Sequence, residues 1–344
     1  MKEFGSDFHI NNLLGEVDIL VSKNIDLNYY ANGRHSIQAL IKLKLKIGEW
    51  RRIWIPEYFC YDVVKAINDT GIEIMFYPDH PMSDDQTLIQ LIPFQEKDVL
   101  LRMNYFGLRG WRDNSNLCIP VIEDHSHDIL SEWTIRSNAD WCVVSLRKTL
   151  PLPEGGILWS PRQYTLPSSL NSTLENDKVS YQRLSAMLLK SLYLSGQLLP
   201  KKIFRTLFIE TEKELETLSM CGMSNITLSL LKMLNIVELN CRRKENWNYL
   251  STALSGRIEF LSPEIEVDST PFSFVLKLEN KRHRDLVREK LIQKNVYPSV
   301  LWEIPSTQNK LIRTYSERLL SLHCDARYTL EDMSELSERI LSII

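Results

Sequence analysis

The sequence predicts an α/β protein: a large domain on a mainly parallel central sheet, followed by a smaller α+β domain. Three observations carry this. Across residues 33–159, short apolar runs alternate with helical patterns, the mark of strand–helix–strand units with right-handed crossovers. Across 170–254 glycine nearly vanishes, and Leu and Met recur at helical spacing among Lys and Glu. The remaining chain returns to mixed strand and helix patterns, and a length of 344 residues suits two packed units sharing an interface.

Strands are expected at 53–55, 72–77, 99–103, 119–122, 141–146 and 156–159, with helices at 34–46, 60–69 and 82–91. Several helices in succession fill 170–254, including a helical insertion at about 179–218. A strand at 272–278, an amphipathic helix at 282–293 and a terminal helix at 330–344 complete the second unit. The division expected is 1–225 for the large domain and 226–344 for a hinge helix and the small domain.

Composition excludes several classes. A net charge of −3 gives no general attraction to nucleic acid or anionic membrane. No apolar stretch is long enough to span a bilayer, and no basic region precedes an apolar run at the N-terminus, so a cytoplasmic protein is expected. The six cysteines are scattered without CxxC spacing, which fits reduced thiols and not a disulfide frame or zinc ribbon. Within the insertion, a Leu- and Met-rich face with Lys190, Lys201, Lys202 and Arg205 has two readings: a helix pair lying on a membrane surface, or a cover packed on the protein itself.

Ligands of such sheets bind beyond the carboxyl ends of the strands. The run at 119–122 leads into Glu123-Asp124-His125-Ser126-His127-Asp128. The run at 141–146 passes into Ser145-Leu146-Arg147-Lys148, then Pro151, Pro153 and a Gly155-Gly156 pair. Asn32-Gly33-Arg34-His35-Ser36 opens the first helix, where free N–H groups and the helix dipole suit an anion. Pro56-Glu57-Tyr58-Phe59-Cys60 follows 53–55. Each feature also has an ordinary reading. A lysine at a strand end can be a solvated cap, Asp124 a turn former or helix cap, and His127 a core imidazole. If the segment is extended, His125 and His127 share a face and with Asp124 and Asp128 could bind a metal, although no remote Cys or His group completes such a site.

In combination and in this order, these segments resemble fold-type I pyridoxal-phosphate enzymes, and most closely the DegT/StrS sugar-nucleotide aminotransferases. Val121 to His127 is similar to that family's strand ending in Glu-Asp-Ala-Ala-His or Gln. Ser145 to Gly156 is similar to its Ser-Phe-x-x-x-Lys…Gly-Glu-Gly-Gly segment, with the Ser-to-Lys spacing shortened. The resemblance extends to Met223-Ser224 before a long helix and to the late segment from Arg318 to His323, and so covers nearly the whole chain.

The resemblance implies that Lys148 is catalytic, holding pyridoxal 5′-phosphate as a Schiff base and, once freed, moving protons as general base and acid. Asp124 is implied to face the pyridine nitrogen and keep it protonated, His127 to lie against the ring, and Ser145 with the backbone of Gly33 and Arg34 to hold the phosphate. By alignment Cys60 takes the position stacked on the ring, with Phe59 and Tyr58 beside it, and the sequence leaves open which covers it. The implied reaction is transfer of an amino group, from glutamate as the usual donor, to a nucleotide-linked keto sugar, in a C2 homodimer with no metal. Two departures bear on this. Met220-Cys221-Gly222-Met223-Ser224 stands where the family often has Asn-x-Arg-Met-Ser, whose Asn reaches the partner's phosphate, and Pro153-Glu154 stands where it has Gly-Glu. Three rival readings are another pyridoxal-phosphate reaction on a keto or amino acid, a catalytically silent binding protein, and a metal-dependent hydrolase built on Asp124, His125 and His127.

Overall fold

The structure, a computed structural model, describes residues 2–10, 25–262, 265–266, 268–306 and 308–344. The chain enters through β1 (Phe4–Gly5) and β2 (Leu27–Tyr30), then runs into α1 (Gly33–Lys46), β3 (Arg52–Pro56), α2 (Tyr61–Asn68), β4 (Glu73–Tyr77), α3 (Asp85–Gln90) and β5 (Asp98–Met103). It continues through β6 (Val121–Asp124), α4 (Glu132–Arg136), β7 (Trp141–Ser145) and β8 (Gly156–Trp159). Seven of these strands form one sheet in the order β2-β8-β7-β6-β5-β3-β4. The five from β7 to β4 are parallel, whereas β8 is antiparallel to both β7 and β2. A mainly parallel sheet is therefore what forms. Its central strands read as continuous apolar runs because helices cover both faces: β5 is buried along its whole length.

Among the strand boundaries that differ from the sequence expectation, two matter for the site. The expected strand 119–122 forms two residues later, at Val121–Asp124. Pro120 has no N–H to give the ladder, and it is Val121 that pairs with Leu100 of β5. Glu123 and Asp124 thus lie within the strand and not in the loop after it. The expected strand 141–146 stops at Ser145, where a 3₁₀ turn, Leu146–Lys148, takes over.

Four helices follow: α5 (Leu174–Leu194), α6 (Lys201–Thr217), α7 (Asn225–Leu231) and α8 (Ile236–Leu254). Ala186 and Met187 of α5 pack on Phe204 and Phe208 of α6 in an apolar cluster of their own. This helix pair is a cover on the protein. Lys190 is 1% exposed and donates to Ser6 Oγ and the Asp7 carbonyl, while Lys201 pairs with Glu3. Two of the four cations that a membrane face would need are therefore consumed internally. No helix among the described residues is long and apolar enough to cross a membrane.

The C-terminal part comprises β9 (Phe274–Lys277), α9 (Lys281–Gln293), β10 (Val296–Tyr297), α10 (Lys310–Arg318), β11 (Leu319–Leu322) and α11 (Leu330–Leu341). The β9 and β11 strands pair antiparallel, and β10 pairs in parallel with β1. One apolar core runs without a break from Ile53, Leu101 and Ile122 of the large sheet to Phe274, Leu276, Leu320 and Met333 of the C-terminal part.

Candidate active site

The carboxyl ends of β6 and β7 and the amino end of α1 meet at one cleft. Its walls include Gly33, Arg34, Cys60, Asp124, Ser145 and Lys148. Of the eight site residues read from the sequence, these six line it. Local chemistry explains the convergence. Asp124 ends β6 with its carboxylate turned back to accept the Ser126 N–H at 2.9 Å. Ser126 in turn accepts the Ser145 N–H on its Oγ at 2.9 Å, and its carbonyl accepts from the Thr149 hydroxyl at 3.0 Å. The turn after β6 thereby clamps the turn that carries Lys148.

The third wall is α1. Asn32 caps it, its Oδ1 accepting the His35 N–H at 2.9 Å. A Cβ on Gly33 would lie 3.0 Å from Ser145 Cβ and 3.1 Å from its backbone nitrogen, so the glycine eases the close approach of the helix start to the β7 turn. Gly156 does the same from β8: a Cβ there would fall 2.4 Å from the Asn32 carbonyl carbon and 2.7 Å from the Gly33 nitrogen. Asn32 is 4% exposed, lines the cleft, and its Nδ2 donor has no partner in the protein. The helix start is fixed from behind by His35. Its Nδ1 accepts the Cys221 N–H at 3.4 Å and its Nε2 lies 3.1 Å from the Leu218 carbonyl, an arrangement that one neutral tautomer satisfies. Burial lowers its pKa to about 4, which fits that neutral form.

The remaining two residues sit behind the cleft. Phe59 is 1% exposed and packs on Trp302, and it is Cys60, the residue capping α2, that faces the cavity. His127 is 1% exposed and enclosed by rings: Phe272 stacks on it at 4.3 Å, Trp302 at 5.2 Å and Phe106 at 5.8 Å. Its Nδ1 accepts the Phe106 N–H at 3.3 Å. Burial and then the nearby Lys148 charge push its pKa well below the usual histidine value, so it stays neutral.

Asp124, His125 and His127 do not gather around a metal position. His125 lies 3.0 Å from Asp128 and 3.2 Å from Glu123, with both ring nitrogens engaged, and stacks on Trp159. Burial works against its charge, but the two carboxylates hold its pKa well above the usual value, making it a structural cation. Among the described residues, the one set spaced to hold a metal ion is Glu123, His125 and Cys142. It is fully buried and away from the cleft lining.

Several residues at the site had no clear signal in the sequence. Trp302, from the segment before α10, presents its ring 5.6 Å from Lys148 Nζ. Arg147 turns to Glu212 of α6 (2.5 Å), and Arg34 reaches the Leu215 carbonyl (3.2 Å). Glu212 and Glu216 thus line the same cleft, so the inserted helix pair forms part of its wall. The two departures from the resembled motifs meet each other. Ser224 donates its N–H (2.9 Å) and hydroxyl (2.7 Å) to Glu154, and Gly222 is pinned under Leu170, whose carbonyl oxygen lies 2.0 Å from where a Cβ would stand. The 220–224 segment is thereby bound to its own chain.

No protein-family model and no curated protein matches the sequence. Solved structures match its fold at low identity. The Helicobacter pylori protein PseC, described as an aminotransferase involved in the biosynthesis of pseudoaminic acid, shares 14% identity with a TM-score of 0.65, over 99% of this chain and 99% of that one. NtdA from Bacillus subtilis, solved with bound cofactor PMP, shares 14% with a TM-score of 0.61, over 92% of this chain and 73% of that one. A DegT DnrJ EryC1 StrS aminotransferase from Brucella abortus shares 14% with a TM-score of 0.59, over 92% and 86%. The chain therefore has the fold of the pyridoxal-phosphate-dependent aminotransferases of fold type I.

Proposed function

We propose that the protein is a pyridoxal-phosphate-dependent aminotransferase, with Lys148 as its catalytic residue and a nucleotide-linked keto sugar as its acceptor. One observation carries this reading: Lys148 and Asp124 face a single cleft whose far end is the amino terminus of α1, held against Ser145. The residues fit the cofactor. The buried, unpartnered Asn32 Nδ2, the free N–H groups of the α1 start and Ser145 suit a phosphate. Asp124, fixed by the Ser126 N–H, suits a pyridinium nitrogen, and Lys148 suits the carbonyl carbon. When bound, the cofactor supplies an electron sink for the bonds at the substrate's amino-bearing carbon.

The rest of the work falls to the chain. Lys148 Nζ, half-buried beside Trp302, would take the proton from the substrate's amino-bearing carbon and return it to the carbon on the other side of the nitrogen. The Asp124 carboxylate would pair with the ring nitrogen of the bound cofactor and favour its protonated form. Trp302, with Tyr58 and Phe59 packed against it, restricts water on the Lys148 side. The amino donor in this proposal is glutamate, the assembly a homodimer and the location cytoplasmic. The division at 225/226 belongs to the same reading, with residues 1–225 supplying the cradle and 226–344 supplying Trp302. The aminotransferases of like fold support the reaction class.

The test is direct. The purified protein with added pyridoxal phosphate is expected to absorb in the visible range, and borohydride is expected to fix the cofactor on the peptide containing Lys148. Glutamate should bleach that absorbance, and a keto-sugar nucleotide should restore it. Unchanged turnover in Lys148→Ala overturns the proposal. Cofactor uptake without bleaching by any amino donor removes the aminotransferase reading and leaves the cradle.

A further inference from the structure

A second compartment lies against Lys148, lined by Asp7, Arg147, Arg183, Ser299 and His323 among others. We propose that it is an oxyanion-binding subsite for the reacting small molecule, with Arg183 of the inserted helix α5 as its specificity-determining residue. The inference rests on the proposed role of Lys148, because that lysine borders both compartments.

Arg183 is 4% exposed and rigidly held. Its guanidinium lies over the Phe208 ring at 5.6 Å and donates to Thr211 at 3.2 Å and Glu212 at 3.0 Å. The other Glu212 oxygen takes Arg147 at 2.5 Å, so one carboxylate positions two guanidiniums side by side. Both arginines nevertheless retain a buried Nε donor without a partner. The charge balance is uneven. Arg147, Lys148 and Arg183 line the compartment, and its walls hold one carboxylate, Asp7, 3.6 Å from Arg183. Glu212, behind, offsets one further charge. Burial and the neighbouring Arg147 lower the Arg183 pKa, and His323 is kept neutral chiefly by burial. With Lys148, three cations face two carboxylates, and the excess positive charge suits a carboxylate or phosphate, which a planar fork engages through two N–H donors. Phe8, Leu152, Met187 and Phe208 supply apolar wall for the body of such a ligand.

The oxyanion has two sources, the carboxylate of an amino donor or the phosphates of a nucleotide-linked sugar. Titrating the cofactor-loaded protein with glutamate and, separately, with UDP distinguishes them. Arg183→Gln is expected to weaken one of the two at least tenfold, while the cofactor absorbance stays unchanged. Arg183→Lys keeps the charge but loses the fork and should fall between. Ser299→Asp adds a carboxylate without removing any contact of Arg183 and should weaken the same ligand. A loss confined to glutamate assigns the subsite to the donor, and a loss confined to UDP assigns it to the nucleotide. Affinities within twofold of the parent for both ligands in Arg183→Gln and Ser299→Asp overturn the inference. Cofactor uptake is read separately by absorbance. If uptake fails, it is the Lys148 reading that falls, and the same titrations on the cofactor-free chain still test the subsite.

Discussion

Glu154 shows how one residue records the demands of the site. It lies fully buried on the Pro153–Gly156 turn that returns the chain from Lys148 to β8, with one oxygen bonded to Ser224 and the other, Oε2, without a partner. Burial pushes its carboxyl up to about 7, against an ordinary 4.5, and the Ser224 bonds only partly oppose this. The folded chain therefore holds a proton that the unfolded chain releases. The contribution of Glu154 to stability is full below pH 4.5 and is lost as pH rises through 7, roughly 3 kcal/mol in all. Glu154→Gln cannot ionise, so the parent-minus-variant difference in urea-unfolding free energy should fall as pH rises from 5 to 8. His35 acts in the opposite sense, since its pKa of about 4 makes stability fall as pH drops below 6.5. It is present in both proteins and cancels in their difference. A parent-minus-variant difference that is constant across this range would show that Glu154 stays ionised.

At the scale of elements, the site depends on how closely α1, β7 and β8 approach one another. The chain achieves this with glycine at the two points where a Cβ would strike backbone. Gly156→Ala puts a methyl 2.4 Å from the Asn32 carbonyl carbon and oxygen, atoms that cannot swing aside. The start of α1 must move instead. Unfolding should be easier by about 1–3 kcal/mol, as for other overpacked sites, and pyridoxal-phosphate affinity should fall at least tenfold. Retention of parental affinity would mean that the α1 start does not hold the phosphate. Much of this framework was legible in the sequence, since β3, β5, β7 and β8 are apolar runs bounded by turn residues and α1 begins at an Asn-Gly start. Less legible were β2 and β11. LNYY and LLSL are four residues long and carry no period of their own, and each is a strand because a neighbour, β8 or β9, offers its edge. The two-residue shift of β6 follows from pairing with β5, and its one local mark is Pro120, which has no N–H for the ladder.

The whole molecule adds what no segment shows by itself. Lys148, Asp124 and Ser145 announce themselves by order along the chain, whereas Trp302, Arg183 and Glu212 reach the site only through tertiary packing. No local pattern distinguishes a Trp in an irregular segment, or an Arg on a helix, from a surface residue. Trp302 joins the two ends of the protein at the site: its ring meets Tyr58, Phe59 and His127, and Lys148 lies over its face. Tyr58 bonds the adjoining Leu301 carbonyl, and Ser316 of α10 bonds that of Trp302. The segment thus couples α10 and the β9–β11 pair to the carboxyl end of the large sheet. Trp302→Ala should lower the unfolding free energy by roughly 2 kcal/mol, less than a fully buried aromatic would cost because the ring is partly exposed. The more telling measurement is native-state hydrogen exchange. Amides of β9, β11 and α10 should lose protection, while those of β5 and β6 keep theirs, since the ring's removal loosens the C-terminal part over the cleft and leaves the sheet intact. Uniform loss across both regions would mean that the continuous apolar core, and not this ring, governs how the two ends hold together.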